Sequence, residues 1–333
     1  MAFATLNAGK VCVAPPVSYL RLSITDRCNL RCFYCRPREG WEKLPAPEIL
    51  SYEEFLHLAR IAAQVGIVKV RVTGGEPLWR RGVVDFVARL HQVPGLKEIA
   101  LTTNGYLLPE LAGGLHRAGL RHLNISLDTL NPERYQEITG KAALSRVLAG
   151  LNRALELGFH PLKVNCVVLK GINDDELLNF AELAREHPLE VRFIEFMPTV
   201  ARSRWAHRFF PMDEVRRRLS SLEPMTELSS PATAGPARLF RPAGFVGSLG
   251  FISAMSEHHC GTCNRLRLTA AGRLRPCLFA PREIDLKTPL RAGADDETLG
   301  RLFLEAMEAK TCTPPPLLVS PTGSGTPMVS IGG

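Results

Sequence analysis

The chain has 333 residues, 45% of them apolar, and a mean hydropathy near zero. It can therefore bury a sizeable core as one large domain with an extension, or as two domains, and no apolar run approaches the ~18–20 residues of a membrane span. Forty-one Lys and Arg against thirty-three Asp and Glu leave a net charge of +8, which suits an anionic partner such as a polyphosphate, while 7% aromatics and no long Lys/Arg run argue against a nucleic-acid groove.

The opening stretch, MAFATLNAGKVCVAPP, lacks the long apolar segment of a signal peptide and is not Arg-rich like a transit peptide. A cytoplasmic location is expected, with the mitochondrial matrix as the alternative. Short β-branched runs then alternate with helical patterns. Strands are expected at Tyr19–Thr25, Lys69–Thr73, Glu98–Thr103, Leu123–Leu127, Leu162–Leu169 and Glu190–Phe196. Helices are expected at Tyr52–Val65, Val83–Gln92, near Pro109–Ala118, at Ser145–Leu157 and at Glu176–Glu186, the last with Asn173 as a candidate N-cap. Six strand–helix units are too few for a closed eight-stranded barrel. The expectation is an α/β fold, an incomplete (β/α)6 TIM-type barrel, with a doubly wound open sheet as runner-up.

After Met197 the pattern degrades. Residues around Leu228–Pro242 are rich in Ser, Pro, Ala and Gly and read as a loop or linker; a helix is expected near Asp296–Glu308. The tail, TPPPLLVSPTGSGTPMVSIGG, reads as disordered on composition. The division this suggests is a barrel over residues 1–225 and a C-terminal region over 226–333.

Residue parity says where the strands aim their side chains, because successive residues face opposite sides. Leu20, Leu22 and Ile24 alternate with Arg21, Ser23 and Thr25, and Val70 and Val72 with Lys69, Arg71 and Thr73. If the apolar face packs on outer helices, Arg21, Lys69, Arg71, Ser126 and Lys163 converge on the lumen. A purely structural barrel fills that space with branched apolar residues; this one is expected to be hollow and built for an anion. The same parity points Cys166 at a helix, as core. The sixth strand is ambiguous, since Arg192 and Glu195 fall on opposite faces.

Nine cysteines in a chain expected inside the cell are not a disulfide framework. Cys28, Cys32 and Cys35 form one group just after the first strand, at the barrel end where active sites are built. Cys260, Cys263 and Cys277 form another, with Arg265 and Arg267 beside it; at i and i+2 in an extended segment the two guanidiniums point one way and make a fork for phosphate oxygens. Cys12 and Cys312 are read as exposed and incidental, and His258 and His259 as loop supports. Neither triad has a local fourth ligand. Zinc, with a fourth ligand brought from afar, and a [4Fe–4S] cluster with one open iron both remain possible at each.

Cys28-x3-Cys32-x-Tyr34-Cys35 resembles the cluster motif of the radical S-adenosylmethionine enzymes, as does Thr73-Gly74-Gly75-Glu76-Pro77 after the second strand. The stretches LRLSITDRCNLRCFYC, VRVTGGEPLWRR, LTTNG, NISLDTL, VKVNCVVLKGIND, VRFIEFMP, CGTCNRLRLTAAG, CLFA and the terminal Ile331-Gly332-Gly333 closely resemble the GTP 3′,8-cyclase family of molybdenum cofactor biosynthesis. That resemblance implies two [4Fe–4S] clusters, one on Cys28, Cys32 and Cys35 and one on Cys260, Cys263 and Cys277. It implies reductive cleavage of S-adenosylmethionine to methionine and a 5′-deoxyadenosyl radical, which takes hydrogen from C3′ of GTP. The carbon radical then attacks C8, and reduction gives (8S)-3′,8-cyclo-7,8-dihydroguanosine 5′-triphosphate.

By the same resemblance, S-adenosylmethionine contacts fall on Tyr34, Gly75, Ser126 and Met197. GTP contacts fall on Arg21, Arg71, Thr102, Lys163, Arg265 and Arg267, with Lys69 and Arg192 as further candidates. Implied partners are an external electron donor and the next enzyme, cyclic pyranopterin monophosphate synthase, with no nucleic acid or membrane, for a monomer or homodimer. The Gly-Gly terminus is implied to insert toward the active site, though Thr313–Pro327 is less polar and basic than the family suggests. Around Thr199–Phe210 only Trp205 sits where a tryptophan is expected. The rivals are a peptide-modifying radical enzyme, which would lack the Arg265/Arg267 pair, and a zinc-binding interaction module.

Overall fold

A computed structural model describes residues 15–36, 42–198, 202–229, 235–280, 282–311 and 328–332. Cys12, Cys312, Thr313–Pro327 and Gly333 lie outside them.

Six parallel strands form the framework: β1 (Tyr19–Ser23), β2 (Lys69–Thr73), β3 (Glu98–Thr103), β4 (His122–Ser126), β5 (Leu162–Val168) and β6 (Leu189–Glu195). Helices α1 (Tyr52–Gln64), α2 (Val83–Leu90), α3 (Leu108–Arg117), α4 (Pro132–Thr139), α5 (Leu144–Glu156) and α6 (Leu177–Glu186) lie between them. The outer face of each strand is apolar and packs on this shell: Leu20, Leu22, Val70, Val72, Leu123, Ile125, Val164 and Cys166 are buried in the core. Strand β5 shows the alternation directly, with Leu162, Val164, Cys166 and Val168 buried and the intervening Lys163, Asn165 and Val167 half-buried toward the lumen. The hydrophobic effect thus fixes the strand faces and leaves the polar half of each strand pointing inward.

After α7 (Arg202–Arg208) and α8 (Met212–Arg218) come β7 (Met225–Leu228), β8 (Arg238–Pro242), β9 (Ser248–Ile252), β10 (Arg265–Leu268), β11 (Arg273–Arg275) and β12 (Ile284–Asp285). Helices α9 (Lys287–Arg291), α10 (Asp296–Glu308) and α11 (Met328–Ile331) complete the described chain. The C-terminal region does not form a sheet of its own. Strand β9 adds in parallel to β6, and β10 adds in parallel to β1, so the six-stranded sheet is lengthened at both edges. The order is β12-β11-β10-β1-β2-β3-β4-β5-β6-β9-β8-β7, in which β9 and β10 are not neighbours. The barrel is incomplete, as expected, and the open side separates these two strands.

Three local expectations need correction. Helix α4 sits in a stretch for which no element was expected: Asn131 accepts from the amide of Arg134 at 2.9 Å, and Pro132 follows at the first helical position. The Leu228–Pro242 stretch contains β8, which pairs antiparallel with β7 and β9; the flanking small residues diluted the Arg-Leu-Phe-Arg run. Asn173 does not cap α6. Its side chain accepts from Leu169 at 2.7 Å and donates to the carbonyls of Asp128 (2.6 Å) and Val167 (2.9 Å), tying the end of β5 to β4. Glu176 is the residue at the cap position, and it accepts from Thr129 at 2.5 Å and from the amide of Leu130 at 2.7 Å.

Candidate active site

The lumen is a cavity of about 720 Å³ running from the first cysteine group to the second. Cys28, Cys32, Cys35, Tyr34, Gly75, Ser126 and Met197 line one part. Arg21, Lys69, Arg71, Thr102, Lys163, Arg192, Arg265, Arg267, Cys260, Cys263 and Cys277 line the rest. Every site residue expected from the sequence therefore faces one space; on β6 both Arg192 and Glu195 reach the cavity wall, Glu195 at the strand end, where it accepts from the amides of Met212 at 2.8 Å and Met255 at 2.7 Å.

The first cysteine loop is held from outside by α4. The last carbonyls of that helix accept from the loop: Thr139 from the amide of Arg31 at 2.8 Å, and Ile138 from that of Phe33 at 3.1 Å. The Gly74-Gly75 turn packs on the backbone leading into the loop. A Cβ on Gly74 would lie 2.6 Å from the Thr25 carbonyl oxygen, and one on Gly75 would lie 2.4 Å from that of Arg27. The glycines are thus required by the chain's own close approach, besides whatever room they leave a ligand. Glu76 turns inward, accepting from Thr103 (2.7 Å) and the amides of Asn104 (2.7 Å) and Leu78 (3.0 Å). Burial lifts its carboxyl to about 7 against those three donors.

Burial also pushes the Cys28 thiol up to about 11, assisted by Glu76, and the Cys35 thiol up to about 12, assisted by Cys28 and Asp128. Cys32 rises well above the usual thiol range through burial, Cys35 and Asp128. Three thiolates crowded here are unstable unless a cation sits among them, and a bound metal centre deprotonates its thiols outright. Among the described residues no three His, Cys, Asp or Glu side chains converge as the ligands of a single ion do. The ligands of a four-iron cluster each take a different iron, and two such triads facing a cavity fit that group.

Tyr34 donates to Asp128, whose other oxygen accepts from the amide of Val167 at 2.9 Å; burial holds Asp128 up at about 6 despite both bonds. Asn104, which the sequence reading passed over, donates to Asn29 at 2.8 Å and lies 3.8 Å from the Cys28 sulfur. Its place at the C-terminal end of β3, on the same rim as the cysteine loop, was the available signal.

Deeper in the lumen the cations are packed close. Arg71 donates to Tyr19 and to Thr102 (3.3 Å), and the Lys69 ammonium stands 5.1 Å from the Tyr19 ring centre. Burial alone would raise the Tyr19 hydroxyl; Arg71, Arg21 and Lys69 outweigh it and bring it down to about 7. Burial, then Arg192, lowers Lys163 to about 8. Burial also lowers Arg21, and it lowers Arg267 well below the usual guanidinium range, with other arginines adding to both. Such a lumen has surplus positive charge that an anion relieves. Glu98 anchors its floor, held down to about 2 because bonds from His122 (2.5 Å) and Lys69 (2.7 Å) outweigh burial.

In the second cysteine group burial, with Cys277 and Cys263 beside it, raises the Cys260 thiol. Burial would raise the Cys263 thiol, yet Arg265 and Lys310 bring it to about 7. His259 does support the loop, accepting from Arg265 at 3.2 Å; burial and then Arg265 keep it neutral by lowering it to about 4. Trp205 donates to the Phe196 carbonyl at 2.7 Å, bracing the strand end that precedes Met197.

The tail residues 328–332 are docked at the mouth. Val329 and Ile331 are buried, the Val329 backbone hydrogen-bonds the Cys35 thiol, and Arg267 donates to the Gly332 carbonyl at 2.8 Å. Gly332 has φ +72°, and a Cβ there would lie 2.5 Å from the Thr73 hydroxyl. Composition read this segment as frayed; its sequence fits a narrow slot.

Residues 22–184 match the family model of the radical SAM superfamily, and residues 189–313 match that of molybdenum cofactor synthesis C. The fold and site define a radical S-adenosylmethionine protein with a second cysteine-bearing region. The GTP 3′,8-cyclase of Moorella thermoacetica is 50% identical over 294 residues, covering 88% of this chain and 91% of that one. The GTP 3′,8-cyclase of Pelotomaculum thermopropionicum is 49% identical over 296 residues with the same coverage. Molybdenum cofactor biosynthesis protein 1 of Mus musculus is 47% identical over 298 residues, 88% of this chain and 46% of the mouse protein. The chain belongs to the GTP 3′,8-cyclase family. Streptococcus suis SuiB shares the fold, with a TM-score of 0.55 at 15% identity over 86% of this chain and 67% of that one.

Proposed function

We infer that this protein is a radical S-adenosylmethionine GTP 3′,8-cyclase, a lyase catalysing the first step of molybdenum cofactor biosynthesis. The observation that carries the reading is one cavity whose wall joins two cysteine triads to a set of buried cations. Cys28, Cys32 and Cys35 would hold one [4Fe–4S] cluster, and Cys260, Cys263 and Cys277 the other. When bound, the first cluster and S-adenosylmethionine supply the radical that removes hydrogen from C3′, and the second offers an open iron to guanine.

The chain's own residues do the rest. Tyr34, Gly75, Ser126 and Met197 position S-adenosylmethionine beside the first triad. Arg21, Lys69, Arg71, Thr102, Lys163, Arg192, Arg265 and Arg267 bind and orient GTP, the cations answering a triphosphate of close to four negative charges. The docked tail narrows the mouth and helps exclude solvent from a radical step.

The partial barrel, residues 1–225, carries the first centre, and residues 226–333 carry the second; strands β9 and β10 join them into one sheet. Among the described residues no helix is long and apolar enough to cross a membrane. The enzyme works in the cytoplasm as a monomer or homodimer, without nucleic acid. It takes electrons from an external donor and passes its product to cyclic pyranopterin monophosphate synthase. Anaerobic incubation with GTP, S-adenosylmethionine and a reductant tests the reading. It expects 5′-deoxyadenosine and the cyclised nucleotide in equal amounts; 5′-deoxyadenosine without cyclised nucleotide would overturn it.

A further inference from the structure

Two residues beyond α10, Lys310 reaches the back of the second cysteine group. Its ammonium donates to the carbonyl of Arg265 at 2.9 Å and to that of Pro276 at 3.2 Å, and it lies 3.5 Å from the sulfur of Cys263. An ammonium has three N–H donors, and these contacts account for all three. The two carbonyls belong to separate stretches: Arg265 follows Cys260 and Cys263, whereas Pro276 directly precedes Cys277. One side chain therefore ties together both pieces of chain that supply the triad.

The first triad is treated differently. There the amide of Leu30 at 3.4 Å and the side chain of Asn104 at 3.8 Å from Cys28, and the Val329 backbone at Cys35, are neutral donors to sulfur, while Arg36 acts on Cys28 and Cys35 through its charge. A cluster bound by thiolates is anionic and gains a further negative charge on reduction. A fixed cation beside one of its sulfurs favours the reduced form, as hydrogen bonds to sulfur do.

We propose that Lys310 is a positioning residue for the second cluster, holding the Cys260–Arg265 and Pro276–Cys277 segments in one cradle and raising the reduction potential of the cluster bound there. The inference rests on reading that triad as a cluster site, and it adds a role for a residue from outside the cysteine motif.

The test uses the full chain carrying Cys28→Ala, Cys32→Ala and Cys35→Ala, so that only the second cluster contributes iron and paramagnetic signal. In this background Lys310→Arg, Lys310→Gln and Lys310→Met are compared by iron content and by redox titration followed by electron paramagnetic resonance. K310R keeps charge and donors and is expected to match the parent. K310Q keeps N–H donors without charge; it is expected to retain iron while its ratio of reduced to oxidised cluster at a fixed potential falls about tenfold, equivalent to about 59 mV for one electron. K310M lacks both and is expected to lose iron to chelators faster than either. If K310Q and K310M both retain iron and titrate as the parent does, the proposal is overturned. A parent that binds no iron on Cys260, Cys263 and Cys277 ends the functional reading itself, and this inference with it.

Discussion

The two ends of the lumen each carry a cysteine triad, and the charged groups around the two triads differ. At the first, burial drives the thiols upward, Glu76 and Asp128 add to it, and Arg36 opposes it in part. At the second, Arg265 and Lys310 offset burial and draw Cys263 down to about 7. Reduction adds an electron to a metal centre, so acidic neighbours lower its potential and basic ones raise it. A centre that must give an electron to a sulfonium suits the acidic end. One that must hold a purine base beside a triphosphate suits the basic end. On the function proposed above, the surrounding charges divide the two roles that three cysteines alone leave open.

The largest effect tests that division of labour. Cys32→Ala is expected to abolish formation of 5′-deoxyadenosine. Cys263→Ala is expected to leave its formation in place while cyclised nucleotide falls to background. Chromatography of both products from one reaction checks the pair. Equal loss of both products in the two variants would mean that the ends do not work separately.

Gly332 touches both ends through the tail, and it comes next. Alanine at φ +72° costs about 1–2 kcal/mol, and its Cβ would also meet the Thr73 hydroxyl. Gly332→Ala is therefore expected to lower the docked fraction, and cyclisation turnover with it, by about tenfold. S-adenosylmethionine affinity should change less than turnover. Unchanged turnover would show that the docked segment serves neither end.

How much of this could be read from the sequence depended on range. Strand parity put Arg21, Lys69, Arg71, Ser126 and Lys163 in the lumen, because alternation is local and the apolar faces of β1, β2 and β5 are unbroken. The pairing of β9 with β6 and of β10 with β1 depends on contacts far apart in sequence and left no local mark. Lys310 is a single cation after an ordinary helix, and only the fold brings it to Cys263. Helix α4 was legible in Asn131-Pro132-Glu133 but buries only Tyr135, Ile138 and Thr139, too narrow a stripe for apolar periodicity to reveal. The Gly74-Gly75 turn was found for its place, while its steric cause, the approach of residues 25–27, needed coordinates.

A pH titration sharpens the contrast at the triphosphate end. Tyr19 sits near 7 and Lys163 near 8, so rising pH first adds a negative charge to the lumen and then removes a positive one. Both changes oppose an anion. If bound phosphate raises each pKa by about one unit, each step weakens GTP by up to about tenfold between about pH 6.5 and about pH 9. Tyr19→Phe should flatten the lower part of the curve and Lys163→Met the upper part. The difference between wild type and variant removes the ionisation of the nucleotide itself. A wild-type affinity that rises with pH would contradict the charge assignment.

The smallest effect comes from the cap of α4, and it separates the two ends by position alone. Asn131→Ala removes the bond to the Arg134 amide and costs about 1 kcal/mol, or about 2 °C in Tm for a chain of this size. The C-terminal carbonyls of α4 hold the amides of Arg31 and Phe33, so loosening the helix reaches the first cysteine loop and not the second. On exposure to a chelator, the first cluster should lose iron about fivefold faster than in wild type, a factor that matches 1 kcal/mol. The second should lose it at the wild-type rate. If both clusters are lost at the same accelerated rate, N131A acts through global stability, and α4 is not the support that keeps the acidic end in shape.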